Sequence, residues 1–507
     1  MRNLAPPRFV RDTAGFAISQ YLSRFVQLFR GIVAARLLGP AAYGSWNALL
    51  LVLDYGILSQ LGLQQGLDQE IPGAITRGNE AETQKLKKGG ISGMIVLWIV
   101  FAVGIGAYLA ITPRRLAEGW GAAGVMLMVL AVLLQELIFY HGTLLRSHGR
   151  IGVVSKALTV QAIAAGLLGI GLVFPFGAWG LLAGWLGGQA IALVYLRREG
   201  AEIAPFALAP NEGTRKLLAR GFPIFLFMAS SMVLKSVDRI MILRFLSTEA
   251  LGYYSIGLMG VSMLLYIPDS ISYVLYPRML AKYAATHDPD AVAREMLKPI
   301  ATIAWLMPLV VGISVFFVRE AVVVLLPKYL PGVPALSILL FGTLGLALSS
   351  VPSFYIMAIQ KQMKLLPLAL GAILLDVGGI LLFLKLGWKL EGVALGVSTG
   401  YVVYGVGLLV YAASHLAGSR VERALFVVRS VLPTLWATAL ALLLGIFLPP
   451  LLPGLPGWVL AFVETGIFVV LYLLAARTLQ PRTGIVALMK QSQWPFARAL
   501  AGAWAGE

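Results

Sequence analysis

The sequence predicts an all-α polytopic membrane protein with about fourteen transmembrane helices. Two homologous six-helix lobes are followed by two further C-terminal helices. Three observations predict this. Hydrophobic residues make up 59% of the 507 positions and charged residues only 12%, against roughly a quarter charged in an ordinary soluble domain. Mean hydropathy is +0.84. The apolar residues fall in stretches of about 20, the length that crosses a bilayer as a helix.

The predicted spans are 13–38, 42–65, 90–112, 119–141, 152–174, 178–196, 221–246, 252–277, 299–325, 333–359, 366–387, 391–413, 428–449 and 457–476. The longest polar connections are 66–90, 197–220 and 278–298, so no large extramembrane domain is expected. The N-terminus does not read as a cleavable signal, because Arg2, Arg8 and Arg11 precede an apolar segment that is too long and carries more arginines.

The formal net charge is +17. In a soluble protein that would suggest nucleic acid. Here the basic residues sit between apolar stretches, so the positive-inside rule explains them and no nucleic-acid partner is expected. With the N-terminus cytoplasmic, 27 lysines and arginines fall in cytoplasmic segments and 6 in outer loops. Both termini are therefore expected on the cytoplasmic side. The tail after the last span mixes Arg482, Lys490 and Arg498 with Trp494, Phe496 and Trp504. It reads as an amphipathic interfacial segment.

The repeat lies in two pairs of motifs. "RLLGPAAYGSW" (36–46) follows the first span and "RFLSTEALGYY" (244–254) follows the seventh. The offset of 208 aligns Arg36 with Arg244, Leu38 with Leu246, Ala42 with Ala250 and Gly44 with Gly252. "GLLAG" (180–184) matches "GVALG" (392–396) at an offset of 212. Six helices per half is an even number, so both halves enter from the same side, as a parallel repeat. The expected domains are an N-terminal lobe (1–200), a C-terminal lobe (201–418) and a third segment (419–507) holding the extra helices and the tail.

Charges inside spans are costly and point to cavities or partners. At about 100° per residue, Gln20, Ser23, Arg24, Gln27 and Arg30 share an arc of about 120° on the first helix. Arg36 falls on the other face near the outer end, where it can snorkel. Span seven repeats the pattern with Ser231, Lys235, Asp238 and Arg239. Lys235 and Asp238, at i and i+3, are expected to pair and to leave Arg239 as the unpaired cation. The functional reading is a hydrated cavity that attracts anions, with Arg24, Arg30, Gln20, Ser23, Gln27, Lys235 and Arg239 as substrate-binding residues. Arginine forks suit phosphate or carboxylate oxygens. The competing reading is that these arginines snorkel or bridge helices.

Acids within spans are Asp54, Glu136, Asp269, Asp376 and Glu464. Asp269 follows Pro268, which frees a backbone carbonyl. Asp376 sits mid-span. Either is a candidate to carry a coupling proton or sodium ion, or else is a hydrogen-bonded structural acid.

There is no cysteine, which excludes disulfides and thiolate chemistry. The four histidines lack metal-ligand spacing, and no metal centre or resident cofactor is expected. No Walker A loop, nucleophile elbow or external carboxylate pair appears, so the chain reads as a transporter rather than an enzyme. A membrane-bound polymerase or ligase would need a sizeable external loop.

The segment "RGIVAARLLGPAAYGSW" (30–46) resembles the opening of Wzx-type oligosaccharide flippases, in which an R-x-LG-P-xx-YG run closes the first helix. The second helix and "AITRGNEAETQKLKKGG" (74–90) continue the match. "KSVDRIMILRFLSTEALGYYS" (235–255) is similar to that family's second-half start, with Ser247–Thr248 where Gly-Pro is usual. The resemblance covers roughly residues 10–415. It places the chain beside the MATE drug exporters and the MurJ lipid II flippase in the MOP superfamily. It implies two lobes around a central cavity, alternating access, and a polyprenyl-pyrophosphate-linked oligosaccharide as cargo for surface polysaccharide. It also implies head-group contacts at Arg24 and Arg30. The partners implied are membrane lipids, that cargo and polysaccharide polymerase machinery. The location implied is a bacterial or archaeal cytoplasmic membrane. The extra helix pair is similar to the pair that forms a lipid-tail groove in MurJ. The alternative on the same fold is a cation-coupled exporter of small drugs or metabolites, against which the basic first-helix stripe counts.

Overall fold

The computed structural model describes residues 7–111, 119–199 and 211–479, with side chains from 23 to 477 within those ranges. Gln20 and the amphipathic tail therefore lie outside the described side chains. Among the described residues there are fifteen α-helices and three short 3₁₀ turns, and no strand.

The first half holds α1 (Pro7–Ile57), α2 (Leu63–Thr76), α3 (Glu80–Ile111), α4 (Gly121–Ser147), α5 (Ile151–Phe176) and α6 (Ala178–Arg198). Then come α7 (Glu212–Leu234), α8 (Val237–Phe245), α9 (Thr248–Thr286), α10 (Pro289–Leu325), α11 (Val333–Ala358), α12 (Leu366–Lys385) and α13 (Leu390–Ala413). The last described helices are α14 (Arg420–Leu451) and α15 (Gly457–Leu479). Thirteen of these are long and apolar enough to span a membrane. Helix α1 breaks at Gly39, which has φ 74° and ψ 173°. A proline follows, so Pro40 starts a new helix with its φ already set, and only glycine adopts the conformation before it cheaply. Counting α1 as two gives the predicted fourteen.

The equivalent turn of the second half lacks Gly-Pro and is built differently. Helix α8 ends at Phe245, and the Ser247 hydroxyl accepts a hydrogen bond from the Ala250 N–H at 3.1 Å, capping α9.

Two expectations are corrected. The connection 66–90 is largely helical, because α2 fills it. Leu63, Leu67 and Ile71, at i, i+4 and i+8, bury one face against Leu86, Ile91 and Tyr140. Span seven is two helices rather than one. Helix α7 stops at Leu234, where the Ser236 hydroxyl bonds back to the Met232 carbonyl at 2.8 Å. Helix α8 then starts with Asp238 in its first turn, whose Oδ1 accepts from the Arg239 N–H at 2.7 Å.

The chain forms two compact units. One is Met1–Ala229 with Ser247–Gly252, and the other is Ser230–Leu246 with Tyr253–Glu507. Within the first, Gly44 and Gly252 pack reciprocally. A Cβ on Gly44 would lie 1.8 Å from the Thr248 carbonyl oxygen, and one on Gly252 would lie 1.9 Å from that of Pro40. Pro40 and Thr248 are themselves 208 residues apart, so each glycine meets the repeat partner of the other's neighbour.

In the second unit the last two helices dock on α10. Phe468 lies over Gly312, and the Tyr472 hydroxyl donates to the Trp305 carbonyl at 2.8 Å. Ala437, Leu440 and Ala441 of α14 complete this core.

Candidate functional site

The predicted stripe on α1 divides in two. Ser23 and Arg30 are buried, whereas Arg24 and Gln27 are exposed. The buried side faces α5, where glycines let the helices close together. A Cβ on Gly166 would lie 2.5 Å from Val26, and one on Gly169 would lie 3.4 Å from the Arg30 side chain. Arg30, only 9% exposed, places its guanidinium 4.8 Å from the centre of the Trp185 ring. Trp185 continues into a ring cluster through Trp46, Trp120 and Trp179, with centroids 5.3–6.3 Å apart. The cluster is fastened by the Trp120 indole N–H to the Ser45 carbonyl at 3.0 Å. A helical wheel reads one element at a time and cannot see this partner.

Such a cation–ring contact contributes on the order of 1 kcal/mol or more when desolvated. Trp185→Leu is therefore expected to lower the melting temperature of the purified protein by a few degrees, about 1 kcal/mol. An unchanged melting curve would show that Arg30 does not depend on the ring.

On the exposed side, Arg24 and Gln27 share the surface of α1 with Phe25 and Phe29, 63% and 55% exposed. A cation and an amide offer anion contacts next to the apolar surface of two rings. Arg36 is exposed, as snorkelling requires, and Arg244 is exposed over the Phe245 ring at 5.5 Å.

In the second unit the expected Lys235–Asp238 pair does not form, because the break at Lys235–Ser236 turns the two apart. Lys235 is exposed. Asp238 is fully buried and accepts from the Tyr254 hydroxyl at 2.7 Å. Arg239, half-buried, acts electrostatically on Asp238. Asp376 of α12 is also fully buried, and its carboxyl lies against the backbone of Gly400 on α13. A Cβ there would fall 1.6 Å from Asp376 Oδ1. The Asp376 carboxyl feels the charge of Asp238, and the buried Tyr401 feels both acids. Sequence reading named Asp376 but not its setting. Gly400 lies on another helix, and only the tight α12–α13 packing brings it near.

Asp269 has a different environment. Helix α9 runs unbroken through Pro268 and Pro277. The Ser350 hydroxyl donates to Asp269 at 2.9 Å and shares a hydrogen bond with Ser272 at 2.8 Å. Glu136, buried in α4, accepts from the Ser59 hydroxyl at 3.2 Å. Among the described residues no group of three or more His, Asp or Glu side chains gathers as a metal site would need.

These helices have the fold of the MOP transporters. The lipid II flippase MurJ in an inward closed conformation matches with a TM-score of 0.66 and 15% identity, covering 92% of this chain and 99% of that one. An inward-facing multidrug resistance MATE transporter matches at 0.61 with 15% identity, covering 80% and 95%. A MOP superfamily transporter from Pyrococcus furiosus, described as having a binding pocket of reverse polarity, matches at 0.57 with 15% identity, covering 82% and 95%. The chain belongs to the polysaccharide biosynthesis protein family, whose model matches residues 9–282. No curated protein matches it.

Proposed function

We propose that the chain carries a polyprenyl-pyrophosphate-linked oligosaccharide from the cytoplasmic to the outer leaflet of the cytoplasmic membrane. The observation that supports this best is the family match over residues 9–282, within which α1 presents Arg24 and Gln27. In this reading the guanidinium of Arg24 holds the pyrophosphate through charge-assisted hydrogen bonds, Gln27 adds an amide, and the polyprenyl tail stays in lipid. Arg30, packed on Trp185, supplies a fixed positive charge behind them. Lys235 and Arg239 are the corresponding cations of the second half. Cargo shifts the balance between inward- and outward-open states only through differential affinity. A cavity that closes more tightly around a bound anion provides it. Asp376, with Asp238 beside it, is the proposed place for a coupling proton or sodium ion, and Asp269 is the second candidate. Both termini are cytoplasmic in this reading, and the polysaccharide polymerase machinery receives the exported product.

The test uses cells lacking the protein, complemented with wild type, Arg24→Ala or Arg30→Ala. Surface polysaccharide and the lipid-linked intermediate on the cytoplasmic leaflet are quantified. Arg24→Ala is expected to lower export about tenfold or more at normal abundance, the cost of a lost hydrogen-bonded charge contact. Arg30→Ala is expected to lower abundance as well. Full export by Arg24→Ala would remove the assigned head-group contact. An unchanged intermediate pool on deletion would overturn lipid-linked cargo and favour small-solute export.

A further inference from the structure

One end of the second unit gathers cations that the transport reading does not use. His415 follows the end of α13 and is held from two sides. Its Nδ1 lies 3.1 Å from the Tyr411 carbonyl, and its Nε2 lies 3.3 Å from the Lys361 ammonium. The carbonyl requires an N–H at Nδ1 and the ammonium requires a lone pair at Nε2. The two contacts together fix one neutral tautomer. The rings of Tyr411 and Tyr355 pack edge-on against the imidazole, 5.1 and 6.0 Å away.

The charges around this ring are unbalanced. Lys361 and Lys364, from the segment before α12, and Arg423 of α14 all act on His415 as like charges. The acids from the neighbouring helices are already engaged. Asp290 of α10 accepts from the Ala417 N–H at 2.6 Å and from Arg294 at 3.1 Å. Glu422 of α14 closes the capping box with Ser419. Arg423 Nε is buried without a hydrogen-bond acceptor among the described residues. Burial holds His415 below its ordinary titration range; the Tyr411 carbonyl offsets part of this, and the three cations add smaller pushes in the same direction as burial.

We infer that Lys361, Lys364, His415 and Arg423 form a binding site for a phosphate-bearing anion, either a lipid headgroup or free phosphate. The site is built from the segment before α12, the loop after α13 and the first turn of α14. It shares no residue with the stripe on α1. Asp290 acts electrostatically on Arg423 but already accepts from Ala417 and Arg294; a phosphate offers several further acceptors, which guanidinium and ammonium donors suit. The site stands at helix ends, where a headgroup lies beside the protein. A bound phosphate favours the imidazolium, so binding tightens as pH falls through the histidine range. Without the anion the sign is opposite. A histidine whose folded pKa is lowered costs stability as pH falls through its unfolded value.

The test uses the full chain. Wild type, His415→Gln, Lys361→Gln/Lys364→Gln and the control Lys87→Gln/Lys88→Gln are compared. One arm titrates inorganic phosphate against detergent-solubilised protein. The other measures retention of phosphatidylglycerol in nanodiscs of otherwise zwitterionic lipid. The diester keeps its charge, so its pH profile reports the protein alone. The expected result is binding in at least one arm, weakened about tenfold or more by the Lys361/Lys364 pair and unaffected by the control. Phosphatidylglycerol binding by wild type should rise as the pH falls from about 7 to about 5, because His415 starts below the ordinary histidine range, and His415→Gln should flatten that rise. Binding in the lipid arm alone identifies a headgroup site, and binding in the phosphate arm a site for the free anion. Equal weakening by both lysine pairs, or binding in neither arm, would overturn the site.

Discussion

Valine at Gly44 or at Gly252 is expected to leave only a small fraction of wild-type folded protein, without export activity. A Cβ at either position would fall within 2 Å of a backbone carbonyl oxygen, that of Thr248 or of Pro40. A flexible side chain could swing away from such an overlap. A carbonyl at a helix start cannot move without displacing the helix. Overpacking in well-ordered cores already costs about 1–3 kcal/mol when side chains can adjust, and here both helices would have to part. Gly106→Ala and Gly171→Ala are the matched controls, since nothing lies within 4 Å of a Cβ at either. Membrane abundance and the elution profile of the solubilised protein would report the outcome. Wild-type behaviour of Gly44→Val would show that the reciprocal packing is dispensable.

That packing also explains which parts of the structure the sequence made legible. Length and hydropathy located the spans because a bilayer demands about 20 apolar residues per helix. Gly39–Pro40 was readable as a break because proline and glycine carry their conformational limits with them. The break at Lys235–Ser236 was not, because it comes from a serine hydroxyl and an aspartate competing for backbone groups, with no glycine or proline to mark it. The wheel drawn through it then paired Lys235 with Asp238, although Asp238 is bonded to Tyr254. Arg30 was grouped with Arg24 for a similar reason. Periodicity gives direction about an axis but not what stands opposite, and Gly169 and Trp185 make Arg30's side a packed one. The anion site at His415 drew residues from three loops and helices that no spacing rule connects.

Asp376→Asn and Gly400→Ala are both expected to impair coupled export severely, for different physical reasons. The asparagine keeps the shape of the side chain but cannot take a proton or present a charge to a cation. The alanine leaves the aspartate in the sequence, yet its methyl would occupy the place of Oδ1, 1.6 Å away, so the carboxyl must move from its position beside Gly400. If coupling requires an acid at that place, the two variants share a phenotype. Each should lower gradient-driven cargo movement in proteoliposomes about tenfold or more, with abundance near wild type for Asp376→Asn. Proton and sodium gradients imposed separately would identify the ion, because only one should lose its effect. A purely structural aspartate gives another pattern: Asp376→Asn would export normally while Gly400→Ala misfolds. In that case coupling moves to Asp269, whose hydrogen bond from Ser350 leaves its second oxygen to be tested by the same substitution.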